Sequence, residues 1–360
     1  TWGHNLVEMA TFEIIILLLW FIAYASFSFV SWRKNLEKIT DNLSGFPLHD
    51  LTVVIPFRNE RENLQLLIDS LRSQNTLPSK FLFIDDHSCD AGVELLEYDL
   101  KSANFGWEIL TMPQNHFGKK NAILLGVQRA TTSYCLTIDA DIWLNNNYFE
   151  MLPDPEDSEM IILPVRMQGR NLLTYLFELE YASFQILQAL VPRNEPLMAS
   201  GANLIFNKEI YLEFNDLNTH KHRSSGDDQY ALAQFIRHKR KINTYFDHRL
   251  AVSTDTPRSF GALLRQRIRW MGNNTQGNDY RASFFASLVF CLNTLFIGLL
   301  IYSFATLNLS IGIGLVVLKL SLDFLLYAAW FERNNTWALA KYLPILSLSY
   351  PFYLLILLGT

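Results

Sequence analysis

The chain has 360 residues, half of them hydrophobic, 18% charged, with a net charge of −5 and a mean hydropathy of +0.10. That is too apolar for an ordinary soluble protein and too charged for a bare membrane bundle, so a soluble domain joined to membrane helices fits best. The acidic balance without a long basic run argues against nucleic acid as a partner. Three scattered cysteines, Cys89, Cys135 and Cys291, argue against a disulfide framework or a thiolate zinc site.

Phe12 to Val30 is almost wholly apolar, about the length that crosses a bilayer as a helix. No Lys or Arg precedes it, while Arg33, Lys34 and Lys38 follow it. The positive-inside bias then places the N-terminus outside and the chain after Trp32 in the cytosol. Asn35 to Asp50 reads as a polar linker. From there strands and helices alternate. Leu51–Pro56, Phe81–Ile84, Trp107–Met112 and Tyr134–Ile138 are apolar strand runs, and 62–73, 93–101 and 120–129 carry helical spacing. Such alternation predicts parallel strands with right-handed crossovers, whose ligands bind beyond the carboxyl ends.

Polar clusters fall at those four ends: Arg58-Asn59-Glu60, then Asp85-Asp86 through Asp90, then Asn115 through Lys119-Lys120, then Asp139-Ala140-Asp141. Ser88 or Asp90 would serve as a helix N-cap; four clusters on one edge exceed what capping explains. Past the end of a strand both carboxylates of Asp139-x-Asp141 can turn to one point. Two hard oxygen donors suit Mg²⁺ or Mn²⁺ carrying a phosphate, because such ions keep waters and take one or two carboxylates. No G-x-G-x-x-G follows the first strand and there is no Walker loop, so neither a dehydrogenase-type dinucleotide site nor a P-loop is supported.

Further on, 160–163 reads as a strand, and 172–190 as an amphipathic, aromatic-rich helix suited to core packing or to a membrane surface. Gly201 lies in a small-residue turn and permits close approach of a ligand or backbone. His220 and His222 fit a polar loop. Asp227-Asp228 opens a helix, where acids often simply complement the dipole. Arg265-Gln266-Arg267-Ile268-Arg269-Trp270 then precedes the returning membrane. It is either a basic helix drawn to lipid headgroups or a place where Arg269 meets a diphosphate and Trp270 packs on a sugar. Ser283–Phe304, Leu309–Trp330 and Tyr342–Leu358 are span-like, the last broken by prolines. Lys319 and Asp323, i and i+4 inside the second of these, are expected to pair, with a polar acceptor path as the other reading.

With these landmarks in order, the chain resembles a membrane-embedded family 2 glycosyltransferase of the GT-A fold, an α/β, mostly parallel sheet. The likeness runs from about Leu51 to Gly272 and rests on Val54-Ile-Pro-Phe-Arg-Asn-Glu60, Asp85-Asp86, Gly118-Lys119, Asp139-x-Asp141, Gly201, Asp227-Asp228 and Gln266-x-x-Arg269-Trp270. The last is the Q-x-x-R-W signature of polysaccharide synthases and ceramide-type glucosyltransferases. The resemblance implies that Glu60, Asp86 and Lys119 line a nucleotide pocket and that one Asp of Asp85/Asp86 bonds a uracil N–H. It further implies that Asp139 and Asp141 hold Mg²⁺ or Mn²⁺ on the diphosphate, with Asp139 reaching the ribose as the alternative. Asp228 would be the base, and Gly201, Asp227, Gln266, Arg269 and Trp270 would face diphosphate and acceptor. Arg58 stands where many relatives have Tyr. The implied activity is inverting transfer from a UDP-sugar to a membrane-associated acceptor, either a growing β-glycan or a single lipid, in a bacterial inner membrane with the catalytic domain cytosolic. A non-catalytic relative that kept the fold, and a transporter using Lys319 and Asp323, are the competing classes. The expected domains are a membrane helix at 1–34, a linker at 35–50, the catalytic domain at 51–255, a juxtamembrane segment at 256–282 and two to three spans over 283–360.

Overall fold

The computed structural model describes residues 2–37, 43–156, 158–214, 226–274 and 280–359; His220 and His222 lie outside them. In chain order the elements are α1 (Trp2–Leu36), β1 (Leu51–Phe57), α2 (Arg61–Arg72), β2 (Lys80–Asp85), α3 (Gly92–Leu100), β3 (Trp107–Thr111), α4 (Lys119–Arg129), β4 (Tyr134–Ile138), β5 (Ile142–Leu144), β6 (Met160–Ile162) and β7 (Val165–Gln168). There follow α5 (Leu172–Gln188), β8 (Asn203–Asn207), α6 (Lys208–Phe214), α7 (Asp227–Arg237), β9 (Ile242–Thr244), β10 (Val252–Asp255), α8 (Phe260–Asn274), α9 (Tyr280–Ala305), α10 (Leu309–Asn334) and α11 (Leu343–Leu358). They form two compact units, one of Thr40–Gly169 with Val191–Asn278, the other of Thr1–Ile39, Arg170–Leu190 and Asp279–Thr360.

The first unit is built on a seven-stranded sheet in the order β3-β2-β1-β4-β8-β6-β9. β1 to β4 run parallel as expected, and β8 enters antiparallel to both β4 and β6. Every residue of β1 is buried, because helices cover both faces, and that is why the strand reads as an unbroken apolar run rather than an alternating one. Val53, Ile55 and Phe57 pack with α2 and α3 on one face. Val54 points the other way, toward α4 and α7. A three-stranded sheet, β5-β10-β7, completes the unit.

Three expectations shift. The segment taken as a linker is partly built into this unit: Gly45 bridges to Pro153, Phe46 is in the core, and the Asp50 carboxylate accepts from the Ser133 N–H. The N-cap of α3 is Ala91, with positive φ and no side-chain bond. Asp90 Oδ1 nonetheless accepts from the N–H of Gly92, the first residue of α3, at 3.0 Å, while Ser88 and the other Asp90 oxygen tie loops together, accepting from the Asn59 and Arg61 N–H groups. Finally, α5 belongs with the membrane helices rather than the sheet. It starts on a capping box between Asn171 and Thr174. Its backbone accepts at Leu179 from the Tyr327 hydroxyl, Gln185 accepts from the Trp330 indole, Tyr175 stacks on Tyr342, and Leu179, Ala182 and Ile186 pack into the core of its own unit.

Among its described residues, that second unit holds four helices long and apolar enough to cross a membrane, over Ile15–Leu36, Tyr280–Ala305, Leu309–Asn334 and Trp337–Leu358. Lys319 and Asp323 pair at 3.0 Å. The Lys319 ammonium also donates to the Tyr24 hydroxyl and to Asn293 Oδ1, and Tyr24 donates to Asp323. The ion pair thus joins α1, α9 and α10.

Within the sheet unit, Gly126 of α4 seats against β1 so closely that a Cβ there would lie 2.4 Å from Val54 Cγ1. Gly126→Ala should therefore cost about 1–3 kcal/mol through overpacking. Thermal unfolding in detergent should show the lowered midpoint, and an unchanged one would mean that the helix does not sit this close.

Candidate active site

The strand order decides what meets at the carboxyl edge. Because β8 runs back along β4, with Asn203 opposite Ile138, the turn before β8 lies beside the residues that follow β4. A Cβ on Gly201 would lie 3.6 Å from Lys119 Nζ, 3.7 Å from Asp228 Cβ and 3.8 Å from Asp227 Oδ2. The Gly201 N–H donates to Asp228 Oδ2 at 3.0 Å, and the Gln229 N–H donates to Asp228 Oδ1 at 2.8 Å. Lys119 Nζ is 2.5 Å from Asp139 Oδ1. Lys119, Asp139, Gly201, Asp227 and Asp228, which are far apart in sequence, therefore converge.

The position of Lys119 is unfavourable on local grounds. It opens α4, which has no acid in its first turn, so its charge opposes the helix dipole. Burial also works to lower its pKa, but the charges of Asp139, Asp227 and Asp228 more than offset this, and its pKa is raised. The acids carry the converse strain. Asp227 is only 9% exposed; burial and then the Asp228 charge push its carboxyl up to about 6, against the pull of Lys119. Asp141 is likewise raised to about 6 by loss of hydration, then by Asp139 and Glu60. Its carboxylate accepts a long bond, 3.4 Å, from Thr254 of β10, so the small sheet helps to set its place. Glu60 is raised chiefly by burial, opposed by its bond from Asn63 and reinforced by Asp139 and Asp90.

A second feature lies at the end of β2. Asp85 accepts from the Ser88 N–H. Asp86 is 5% exposed. Its Oδ2 accepts from the Gly118 N–H at 2.9 Å and lies 3.8 Å from Arg58, while its Oδ1 is buried without a partner. A buried acceptor left unpaired is costly unless something donates to it.

The donor set fits a divalent cation that arrives with phosphate. Glu60, Asp139 and Asp141 hold more negative charge than Lys119 balances, and all their donors are hard oxygens. Among the described residues no group of three or more His, Cys, Asp or Glu could hold a metal unaided. That suits Mg²⁺ or Mn²⁺ with one or two carboxylates, waters and phosphate oxygens.

The arginines of α8 differ in burial. The guanidinium buried in this helix is Arg267, 1% exposed. It donates to Gln266 at 2.6 Å and lies 4.3 Å from the centre of the Trp270 ring. Arg269 sits about 200° around the helix from it and is exposed. No hydrogen bond or ion pair among the described residues carries Gln266 or Arg269 to the acid cluster. Its i, i+4 relation to buried Leu263 marks the inward face of α8.

This architecture is a GT-A fold. A mannosyltransferase from Pyrobaculum calidifontis, solved in complex with GDP-mannose and Mn²⁺, matches with a TM-score of 0.55, covering 95% of this chain and 98% of its own at 14% identity, a likeness of fold. Residues 52–213 match glycosyl transferase family 2, and the chain thus carries a family 2 glycosyltransferase domain. It is 21% identical over 267 residues to the poly-β-1,6-N-acetyl-D-glucosamine synthase of Staphylococcus aureus strain COL, covering 72% of this chain and 63% of that protein. It is 32% identical over 98 residues to the undecaprenyl-phosphate 4-deoxy-4-formamido-L-arabinose transferase of Pectobacterium carotovorum subsp. carotovorum strain PC1, covering 26% of this chain and 30% of that protein. The chain spans less than two thirds of both relatives.

The raised carboxyl of Asp227 gives a signed stability prediction. Its penalty is absent while it is protonated in both folded and unfolded states, grows as pH rises from about 4, and is full above about 6. Without donor or metal, Asp227→Asn should stabilise the protein at pH 7.5 by about 1–3 kcal/mol, and the gain should vanish below about pH 4. Melting curves of the two proteins across pH test this; a gain that is the same at both ends would refute it.

Proposed function

We propose that the chain is an inverting glycosyltransferase that moves a sugar from a UDP-sugar to a membrane-associated acceptor. The observation that carries this reading is the meeting of Lys119, Asp139, Asp227 and Asp228 around Gly201. Asp86 offers one unpaired buried oxygen, which suits the single N–H of uracil. Lys119 supplies fixed positive charge beside the diphosphate. Asp139 and Asp141 would hold Mg²⁺ or Mn²⁺, which when bound draws charge from the phosphoryl oxygens as the diphosphate leaves. Asp228, oriented by the N–H groups of Gly201 and Gln229, takes the acceptor hydroxyl proton. The acceptor oxygen bonds to C1 as the bond from C1 to the diphosphate oxygen breaks, so the anomeric centre inverts and no covalent enzyme intermediate forms. Glu60 lines the donor side. Exposed Arg269, with Gln266 and Trp270, is available to diphosphate and acceptor.

The Gln266-x-x-Arg269-Trp270 segment, and the extent of the likeness to a polysaccharide synthase, favour processive β-glycan synthesis. The likeness of a shorter stretch to an undecaprenyl-phosphate transferase, together with the small number of candidate spans, supports single addition to a lipid as the second reading. Arg33 and Lys34 after the first span, and Arg333 and Lys341 around the last two, support a cytosolic catalytic domain and an outward N-terminus, as in a bacterial inner membrane.

The first test is nucleotide release from UDP-glucose, UDP-N-acetylglucosamine, UDP-galactose and GDP-mannose, with and without Mn²⁺. Release should need a UDP-sugar and should fall on chelation; release indifferent to chelation would remove the metal role of Asp139 and Asp141. On a gel, labelled donor should yield a ladder or polymer if addition is processive, and one discrete glycolipid if it is not. Asp228→Asn should lower turnover by about 10²–10⁴-fold while UDP binding persists. Unchanged turnover would refute the base assignment.

A further inference from the structure

The helical unit encloses a cavity of about 50 Å³ to which α1, α5, α9, α10 and α11 all contribute. A volume of that size has room for about four water-sized groups, or for a short run of lipid chain and one polar function. Its walls are mostly apolar, and Lys319 and Asp323 stand on its lining.

The hydrogen bonding decides what the cavity can recognise. An ammonium has three donors, and those of Lys319 are spent on Tyr24, Asn293 and Asp323. Asp323 in turn accepts from Tyr24 on its other oxygen. The Asn293 amide donates to the Val289 carbonyl, and the Tyr327 hydroxyl donates to Leu179. The charged groups are therefore mutually neutralised and closed, leaving no donor of Lys319 for an anionic headgroup. One lining group is different. Ser347 of α11 is 2% exposed, and its hydroxyl has no partner. In hydrocarbon surroundings a hydroxyl without a partner is costly, and a serine in a helix can ordinarily bond back to the preceding turn; here it does not.

We propose that this cavity is a binding site for a neutral glycerolipid, whose uncharged hydroxyl or ester group pairs with the Ser347 hydroxyl while its chain lies along the apolar walls. A lone hydroxyl can both donate to an ester carbonyl and accept from an alcohol, which matches such a lipid. A phosphate head would bring a charge that nothing in the cavity is free to meet. The site is independent of the transfer reaction proposed above, since binding is measured without donor.

The test uses the full chain in nanodiscs of zwitterionic phosphatidylcholine, whose phosphate the cavity has no free cation to meet, with a photoreactive diacylglycerol as probe. Labelling should map to α9, α10 and α11 at the cavity, and unlabelled diacylglycerol should compete for it, while a polyprenyl phosphate at equal concentration should not. Ser347→Ala, which keeps the fold and volume, should weaken competition about 5–10-fold, the range of one lost hydrogen bond. Ser347→Phe should fill the cavity and abolish labelling, and its melting temperature reports whether it folds. Labelling spread over the lipid-facing surface, equal labelling of Ser347→Ala and the parent, or stronger competition by the polyprenyl phosphate would each overturn the proposal. Loss of sugar transfer with labelling intact would count against the transferase reading alone.

Discussion

Lys119 holds together the acids at the carboxyl edge of the sheet. Lys119 lies against Asp139 and close to Asp227 and Asp228, three acids delivered by two different helix and strand ends. At such distances like charges repel strongly once they are partly removed from water. The raised carboxyls of Asp227 and Asp141 come first from burial and then from the neighbouring carboxylates that Lys119 does not fully offset. The lysine is itself misplaced for its helix, at the positive end of α4. Two local rules are thus broken at one point, with the helix dipole and charge balance both yielding to the arrangement. Folded chains keep such conflicts mainly where function requires them.

What permits the arrangement is the rigidity behind it. β1, β2 and β4 are buried almost throughout, β3 is the half-buried edge strand, and each of the four hands its polar cluster to the same edge. The reversal into β8 then brings Gly201 beside the end of β4, where its lack of a side chain leaves room among Lys119, Asp227 and Asp228. The Asp228 carboxylate needs no further support, because two backbone N–H groups already fix both its oxygens.

Much of this could be read from the residues in order. The βα alternation was legible because an all-buried parallel strand is a continuous apolar run and its helices carry 3.6-residue spacing. Asp139 and Asp141 were legible because β4 ends where they begin. The direction of β8 was not, since a strand's local pattern says nothing of which way it runs beside its neighbour. The partner of α5 was not legible either: its aromatic stripe announced burial but could not distinguish a membrane surface from α10 and α11. In α8 a recognised signature drew attention to Arg269, whereas helical geometry buries Arg267. The i, i+4 pairing of Lys319 with Asp323 was visible, but Tyr24 and Asn293, which complete it, come from helices remote in sequence.

The two notable lysines show how similar signals separate once their partners are counted. Lys319 is surrounded by as many acceptors as it has protons, and its one acid is neutralised in place, so the group is complete and nothing further is required of it but to hold three helices in register. Lys119 is outnumbered by acids. Beside it the carboxylates remain partly unfavourable, and Asp86, one strand away, presents an oxygen with no donor at all. A closed polar group gains nothing from a ligand, while an open one with surplus acceptors is relieved by any ligand that brings cations and N–H groups together. Of the charged groups described, it is therefore the cluster at the sheet edge, and not the pair within the helices, whose energetics would improve on binding a ligand that brings positive charge and an N–H donor.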